Sequence, residues 1–465
     1  MMGEIGSTAR RRLLASGLFL LARHALGATS ASPVPASQGN ARVDYGSATL
    51  PLGIRSRRID TNNQVVLHIL EAGFESPGSP CVVLLHGFPE LAYTWRNQML
   101  PLARAGYHVI APDARGYGLS APQPVSYSDS LVPYSMFNRV SDVLGLVRAL
   151  GHEEVAMVVG HDWGGPTAQW CARLRPDVFR SVVSISTPFF RAPTLPLNTV
   201  THPKGPDPED SIDRELAALP RPRKHYSTYC ASREANEDMW HAPQGIHTFL
   251  REQFYFKSAD WEGNKPFPLK SWAASELEKM PTYYIMDLNK GMAETMAEHQ
   301  PSAEYIAACR WMTETDLDVY SAQFARTGFQ GGLNYYRVGA DAALWNEQQS
   351  FSGKTIDVPA CYIGGAREWG VYQAPGAFQS MGKACTRLLG SHLVPDAGHS
   401  VVEEQPGSVN QILVEFLNKA ARGKSGGAIA EPALQSAAAT TAPCTDGRRT
   451  RKHSGMSATQ SHPDR

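Results

Sequence analysis

The run Val158-Val159-Gly160-His161-Asp162-Trp163-Gly164-Gly165 (VVGHDWGG) decides how this chain is read. Before it, Val155 to Val159 is a continuous apolar run of the kind buried on both faces of a parallel sheet. After it, Gly164 to Leu174 has helical spacing. Strand, sharp turn and helix therefore meet at Gly160 to Gly164, a nucleophile elbow with Asp162 in the central place. The turn is tight and its central residue strained, so its flanks must lack bulk, which Gly160 and Gly164 satisfy. Asp162 would project above the sheet beside a helix N-terminus whose partial positive charge favours a carboxylate. The simpler alternative, that Asp162 only caps the helix starting at Trp163, explains the turn but not the partners found downstream.

Working outward, the same alternation recurs. Val65 to Glu71, Cys81 to Leu85, His108 to Ala111, Val182 to Ile185, Val358 to Ile363 and Arg387 to Val394 read as strands. Tyr93 to Arg104, Met136 to Leu150 and Gln405 to Asn418 read as helices. This order predicts an α/β fold, a mostly parallel doubly wound sheet whose active site lies at the carboxyl ends of its strands. From about 190 to 345 the pattern changes to Pro-rich loops and Met- and aromatic-rich helices such as Ser302 to Arg326, with no buried strand. That segment reads as an inserted helical cap, dividing the core into 45–189 and 346–419.

An Asp elbow selects a chemistry. A carboxylate can displace a leaving group at saturated carbon and form an alkyl ester that water then cleaves, which suits epoxides and alkyl halides. Three further parts are expected. His86-Gly87-Phe88-Pro89 follows a core strand where an oxyanion loop belongs, so the amides of Phe88 and Trp163 are the predicted donors. His399 follows the last strand and is the predicted base. Glu368, on the loop after Val358 to Ile363, is the predicted acid that orients it, because the segment after Ile185 offers no carboxylate and Asp396 lies too near His399 in sequence.

Composition points the same way. The 465 residues carry 44 Lys plus Arg against 44 Asp plus Glu, so nothing favours nucleic acid over a small uncharged substrate. Seven scattered cysteines show no pairing or spacing for zinc, and no metal or cofactor is expected. At the N-terminus, Arg10 to Arg12, the apolar Leu13 to Ala22 and the small-residue run Ala25 to Ala36 follow the order of a secretory signal. A mitochondrial transit peptide, or an uncleaved arm on a cytoplasmic protein, fits the same residues. The apolar stretch is too short to span a bilayer, which needs ~20 residues. Residues 1–44 and 420–465 are expected to be a targeting or disordered segment and a disordered tail. Oligomeric state is not legible.

Over roughly Gly53 to Leu417 the chain resembles the epoxide hydrolase family of α/β-hydrolases, through HGFPE at 86–90, DARGYGLS at 113–120, GHDWGG at 160–165, TGFQGGLNYYR at 327–337 and GHSVVEEQP at 398–406. The resemblance implies hydrolysis of an apolar epoxide to a vicinal diol, with two cap tyrosines binding the epoxide oxygen. Tyr336 matches the second. The first departs from the pattern: Gln253 stands in its place, and Tyr255 is two positions on, a turn of about 200° on a helix. Glu368 stands where relatives commonly have Asp. Two other functions remain open from sequence: a haloalkane or haloacid dehalogenase, and a non-hydrolytic binding or ring-forming protein on the same scaffold.

Overall fold

The structure, a computed structural model, describes residues 49–193 and 208–422. The expected targeting segment, and the tail beyond 422, lie outside the described residues. Eight strands form the central sheet: β1 Arg55–Asp60, β2 Val66–Ala72, β3 Cys81–Leu85, β4 His108–Pro112, β5 Val155–His161, β6 Val182–Ile185, β9 Ala360–Gly365 and β10 Leu388–Val394. Two short strands, β7 Arg223–His225 and β8 Ile285–Asp287, pair separately. The sheet order is β1-β2-β4-β3-β5-β6-β9-β10. Only β2 runs antiparallel to its neighbours; every pairing from β4 to β10 is parallel.

The centre of the sheet is dry because its strands are apolar on both faces. Cys81 to Leu85 is buried throughout, as is β5 apart from the half-buried Ala156. The register sets Leu85 opposite Gly160 and Gly160 opposite Ser184, so β3, β5 and β6 end together and present their following loops at one edge. Each helix that flanks the sheet brings a buried stripe, as Val140, Val143, Leu146 and Val147 do on Met136–Ala149. The last helix, Pro406–Arg422, runs beyond Asn418 and makes residues 420–422 helical, where the sequence reading placed the start of a disordered tail.

Between β6 and β9 the described chain is mostly helical, with two departures from expectation. The cap region does contain strands, β7 and β8, each three residues and therefore too short for a periodicity signal. Ser302 to Arg326 is two helices, Ala303–Ala308 and Glu314–Thr327. The second starts at a capping box, in which the Thr313 side chain accepts from the Asp316 amide while Asp316 accepts from Thr313, and this reset fixes the break. Outside the cap, the edge strand β1 was not expected, because RSRRID is almost wholly exposed.

Candidate active site

Asp162 follows β5 and has φ 47°, in the left-handed region, where Asp is among the better tolerated non-glycine residues. The glycines around it are required by space. A Cβ on Gly160 would lie 2.0 Å from the Gly164 carbonyl oxygen, and one on Gly164 would lie 2.1 Å from that of Leu85. The predicted elbow is therefore present, with the Gly165 amide donating to the Asp162 carbonyl at 2.9 Å.

The two carboxylate oxygens of Asp162 face different partners. The Phe88 amide donates to Oδ1 at 2.9 Å, while His399 Nε2 lies 3.6 Å from Oδ2. One oxygen is held by the loop after β3, across a cis Phe88–Pro89 bond, and the other faces the imidazole. Behind His399, Nδ1 is 2.7 Å from Glu368 Oε1, and Glu368 is 1% exposed. Asp396, the rejected acid, is exposed. The chain thus brings Asp162, His399, Glu368 and Phe88 together as expected.

Burial sets the charge state of this cluster. It pushes the His399 imidazole well below its ordinary value, helped by the nearby Lys257 and His161 charges. It also pushes the Glu368 carboxyl up to about 8, against the pull of His161, the Ser186 hydroxyl and Lys257. A neutral imidazole at neutral pH is a competent base, and a buried carboxylate is best tolerated when the ring beside it gains a proton.

A second tier of buried groups fixes the imidazole's loop. His161 Nε2 donates to the His399 carbonyl at 2.8 Å, and the Ser186 hydroxyl donates to the same oxygen at 3.1 Å. His161 Nδ1 pairs with Glu90, which also accepts the Gly87 amide at 2.9 Å. Burial pushes the His161 imidazole down, but the Glu90 carboxylate outweighs it and holds the ring up at about 9. Glu404 accepts the amides of Gly398 and Ala259 at 2.8 Å and that of Ser400 at 3.0 Å. Sequence reasoning assigned no role to Glu90, His161 or Glu404, although all three stand inside the quoted motifs. The signal available was an acid or imidazole embedded in an otherwise apolar motif.

Above the elbow, the helix Gln330–Ala340 lowers Tyr336 between aromatic rings, with Phe88 at 5.6 Å and Trp163 at 5.0 Å, both edge to face. Burial raises the phenol well above its ordinary value, so it stays protonated, and the Trp163 side chain hydrogen-bonds it. Trp163 therefore contributes an indole to the site, whereas among the described residues the amide seen on the Asp162 carboxylate is that of Phe88. Tyr255 faces away, its ring 4.7 Å from Tyr305, whereas Gln253 lines the cavities beside Phe88. Gln253 shares one small cavity with Tyr336 and Phe88.

A mostly parallel sheet, an elbow at the end of β5 and a histidine after the last strand define an α/β-hydrolase. Residues 80–282 match the family model described as the alpha/beta hydrolase fold. The chain is 33% identical to epoxide hydrolase B of Mycobacterium tuberculosis over 73% of its own length and 91% of that protein's. It is 31% identical to epoxide hydrolase A of the same organism, over 79% and 98%. Among solved structures it is similar to an epoxide hydrolase from an endophytic Streptomyces, with TM-score 0.64, 29% identity, and coverage of 80% of this chain and 97% of that one. Epoxide hydrolase A from Mycobacterium thermoresistibile gives TM-score 0.61 at 29% identity, covering 78% and 98%. The protein belongs to the epoxide hydrolase family of α/β-hydrolases.

Proposed function

We propose that the protein hydrolyses a small apolar epoxide to a vicinal diol, with Asp162 as nucleophile. Asp162 Oδ2 attacks a ring carbon, the C–O bond breaks, and the ring oxygen leaves while hydrogen-bonded to Tyr336. The product is an alkyl ester of Asp162. His399, oriented by Glu368, then removes a proton from water, and the hydroxide adds to Cγ of the ester. The amides of Phe88 and Trp163 hold the resulting oxyanion. Collapse breaks the bond between Cγ and the alkyl oxygen, which takes the imidazolium proton; the Asp162 carboxylic acid left behind gives up its proton to make good the one taken by the ring oxygen, and the diol departs.

The observation that carries this reading is the division of Asp162 between two partners: an amide on Oδ1 at 2.9 Å and an imidazole nitrogen 3.6 Å from Oδ2. That arrangement suits an ester whose carbonyl is polarised on one side and approached by activated water on the other. The test is a panel of epoxides and haloalkanes offered to the parent protein and to Asp162→Ala. Diol formation from an epoxide by the parent, abolished in the variant, is expected. Halide release without diol formation would make it a dehalogenase, and binding without consumption of any compound would make it a non-hydrolytic protein.

A further inference from the structure

We infer that Lys257 supplies the proton to the epoxide oxygen from the side where Gln253 replaces a tyrosine. The inference rests on the epoxide hydrolase reading and adds a catalytic residue to it. Lys257 is the last residue of the helix Ile246–Lys257, one turn after Gln253 on the same face. Both side chains line two adjoining cavities: one includes Phe88 and Tyr336, the other Phe88, Glu90 and His399. Lys257 thus borders both the phenol side and the imidazole side of Asp162.

Its surroundings explain why an ammonium there is available for chemistry. Among the described residues, the Lys257 side chain makes no hydrogen bond and no ion pair; its amine meets the Tyr284 ring at 6.0 Å. The charges acting on it are the carboxylates of Asp162, Glu368 and Glu90. Burial lowers its pKa against their pull, which makes it a stronger acid than an ordinary lysine and far stronger than the buried phenol of Tyr336. The Tyr284 phenol in the same cavity is raised by burial well above its ordinary value and is a weaker acid than Lys257. Tyr283 donates to Asn264 at 2.9 Å, and Gln253 Oε1, buried without a hydrogen-bond partner, is an acceptor. The backbone places Lys257 relative to the base directly, because its carbonyl accepts the His399 amide at 2.9 Å.

The proton balance closes within the site. As Asp162 Oδ2 bonds to carbon, the ring oxygen takes a proton from Lys257 Nζ, leaving a neutral amine. After water cleaves the ester, Asp162 is left as a carboxylic acid, and its proton returns to the amine. Carboxylate and ammonium are restored together, and the net reaction is epoxide plus water to diol.

Stopped-flow tryptophan fluorescence with styrene oxide separates ester formation from ester hydrolysis. Lys257→Met is expected to slow ester formation by ~10²-fold, within the range for general acid catalysis, and to leave hydrolysis of the ester nearly unchanged. Parent kcat/KM should fall on the alkaline side as Lys257 loses its proton, and this limb should vanish in the Met variant. Adding Gln253→Tyr to Lys257→Met should restore ~10-fold or more of the ester-formation rate, because a phenol then enters the same cavity. Lys257→Arg keeps the charge but cannot release a proton, so it should stay slow; with the parent pH profile it decides the matter if the Met variant does not fold. Ester formation by either variant at the parent rate would overturn the inference, as would a loss confined to epoxides bearing a carboxylate. In the first case Asp162→Ala would still be inert, so the failure would leave the proposed function standing.

Discussion

Replacing Gly87 by alanine tests the oxyanion geometry through a single carbon atom. A Cβ at Gly87 would lie 2.3 Å from Asp162 Cβ, 2.6 Å from its Oδ1 and 2.9 Å from its Cγ. Carbon atoms rest at ~3.5–4.0 Å, so the loop or the nucleophile must shift by about an ångström or more. The same loop carries the Phe88 amide that holds Oδ1 at 2.9 Å, and that bond cannot survive such a shift unchanged. Misplacement by an ångström costs ~10²-fold, and loss of one oxyanion donor costs ~10²–10³-fold. We therefore expect kcat/KM for styrene oxide to fall ~10²–10³-fold, chiefly through kcat. Overpacking of this kind costs ~1–3 kcal/mol, so the melting temperature should drop by several degrees and the variant should still fold. Steady-state diol formation and a thermal melt measure both. An alanine variant that melts like the parent and retains about a third or more of its kcat/KM would refute the close approach of Gly87 to Asp162.

His399→Gln should form the ester but not hydrolyse it: rapid quench should show a burst of one ester per site, with kcat reduced by ~10³-fold or more. Because burial holds the His399 imidazole below its ordinary value of 6.5, the acid limb of kcat should fall below pH 6.5, where the base becomes protonated; a limb above that pH would contradict the buried, neutral ring. The His161–Glu90 pair makes a stability prediction with a definite sign. His161 is raised to about 9 from 6.5, so its contribution is fully present below pH 6.5 and is lost as pH rises through about 9. Melting temperature should therefore decline between pH 7 and 10 in the parent, and Glu90→Ala, which strands a buried imidazole, should cost ~3–5 kcal/mol and flatten that decline.

The elbow was legible because its requirement is local: two glycines beside a strained residue, between a run buried on both faces and a helix. His399 and Glu368 were legible from chain order, since loops that follow parallel strands open on one edge whatever the intervening sequence. Helical geometry left open whether Tyr255 replaces the first cap tyrosine, and the structure sets its ring against Tyr305 instead. The parts that were not legible depend on long-range contact. β1 shows charged residues to solvent and pairs through its backbone, which carries no side-chain pattern. β7 and β8 are too short to have a period. Glu90 and His161 are 71 residues apart and become a pair only when β3 and β5 lie side by side. Lys257 belongs to no motif read from the sequence, and its importance comes from which cavities the end of its helix borders.

The account's central claim is a covalent bond between Asp162 and substrate carbon. A single turnover of excess enzyme with styrene oxide in H₂¹⁸O, followed by mass spectrometry of the peptide containing Asp162, tests it directly. One ¹⁸O atom should enter the Asp162 carboxyl group, since water attacks the ester at Cγ. Label found only in the diol, with the Asp162 peptide unchanged in mass, would contradict the claim.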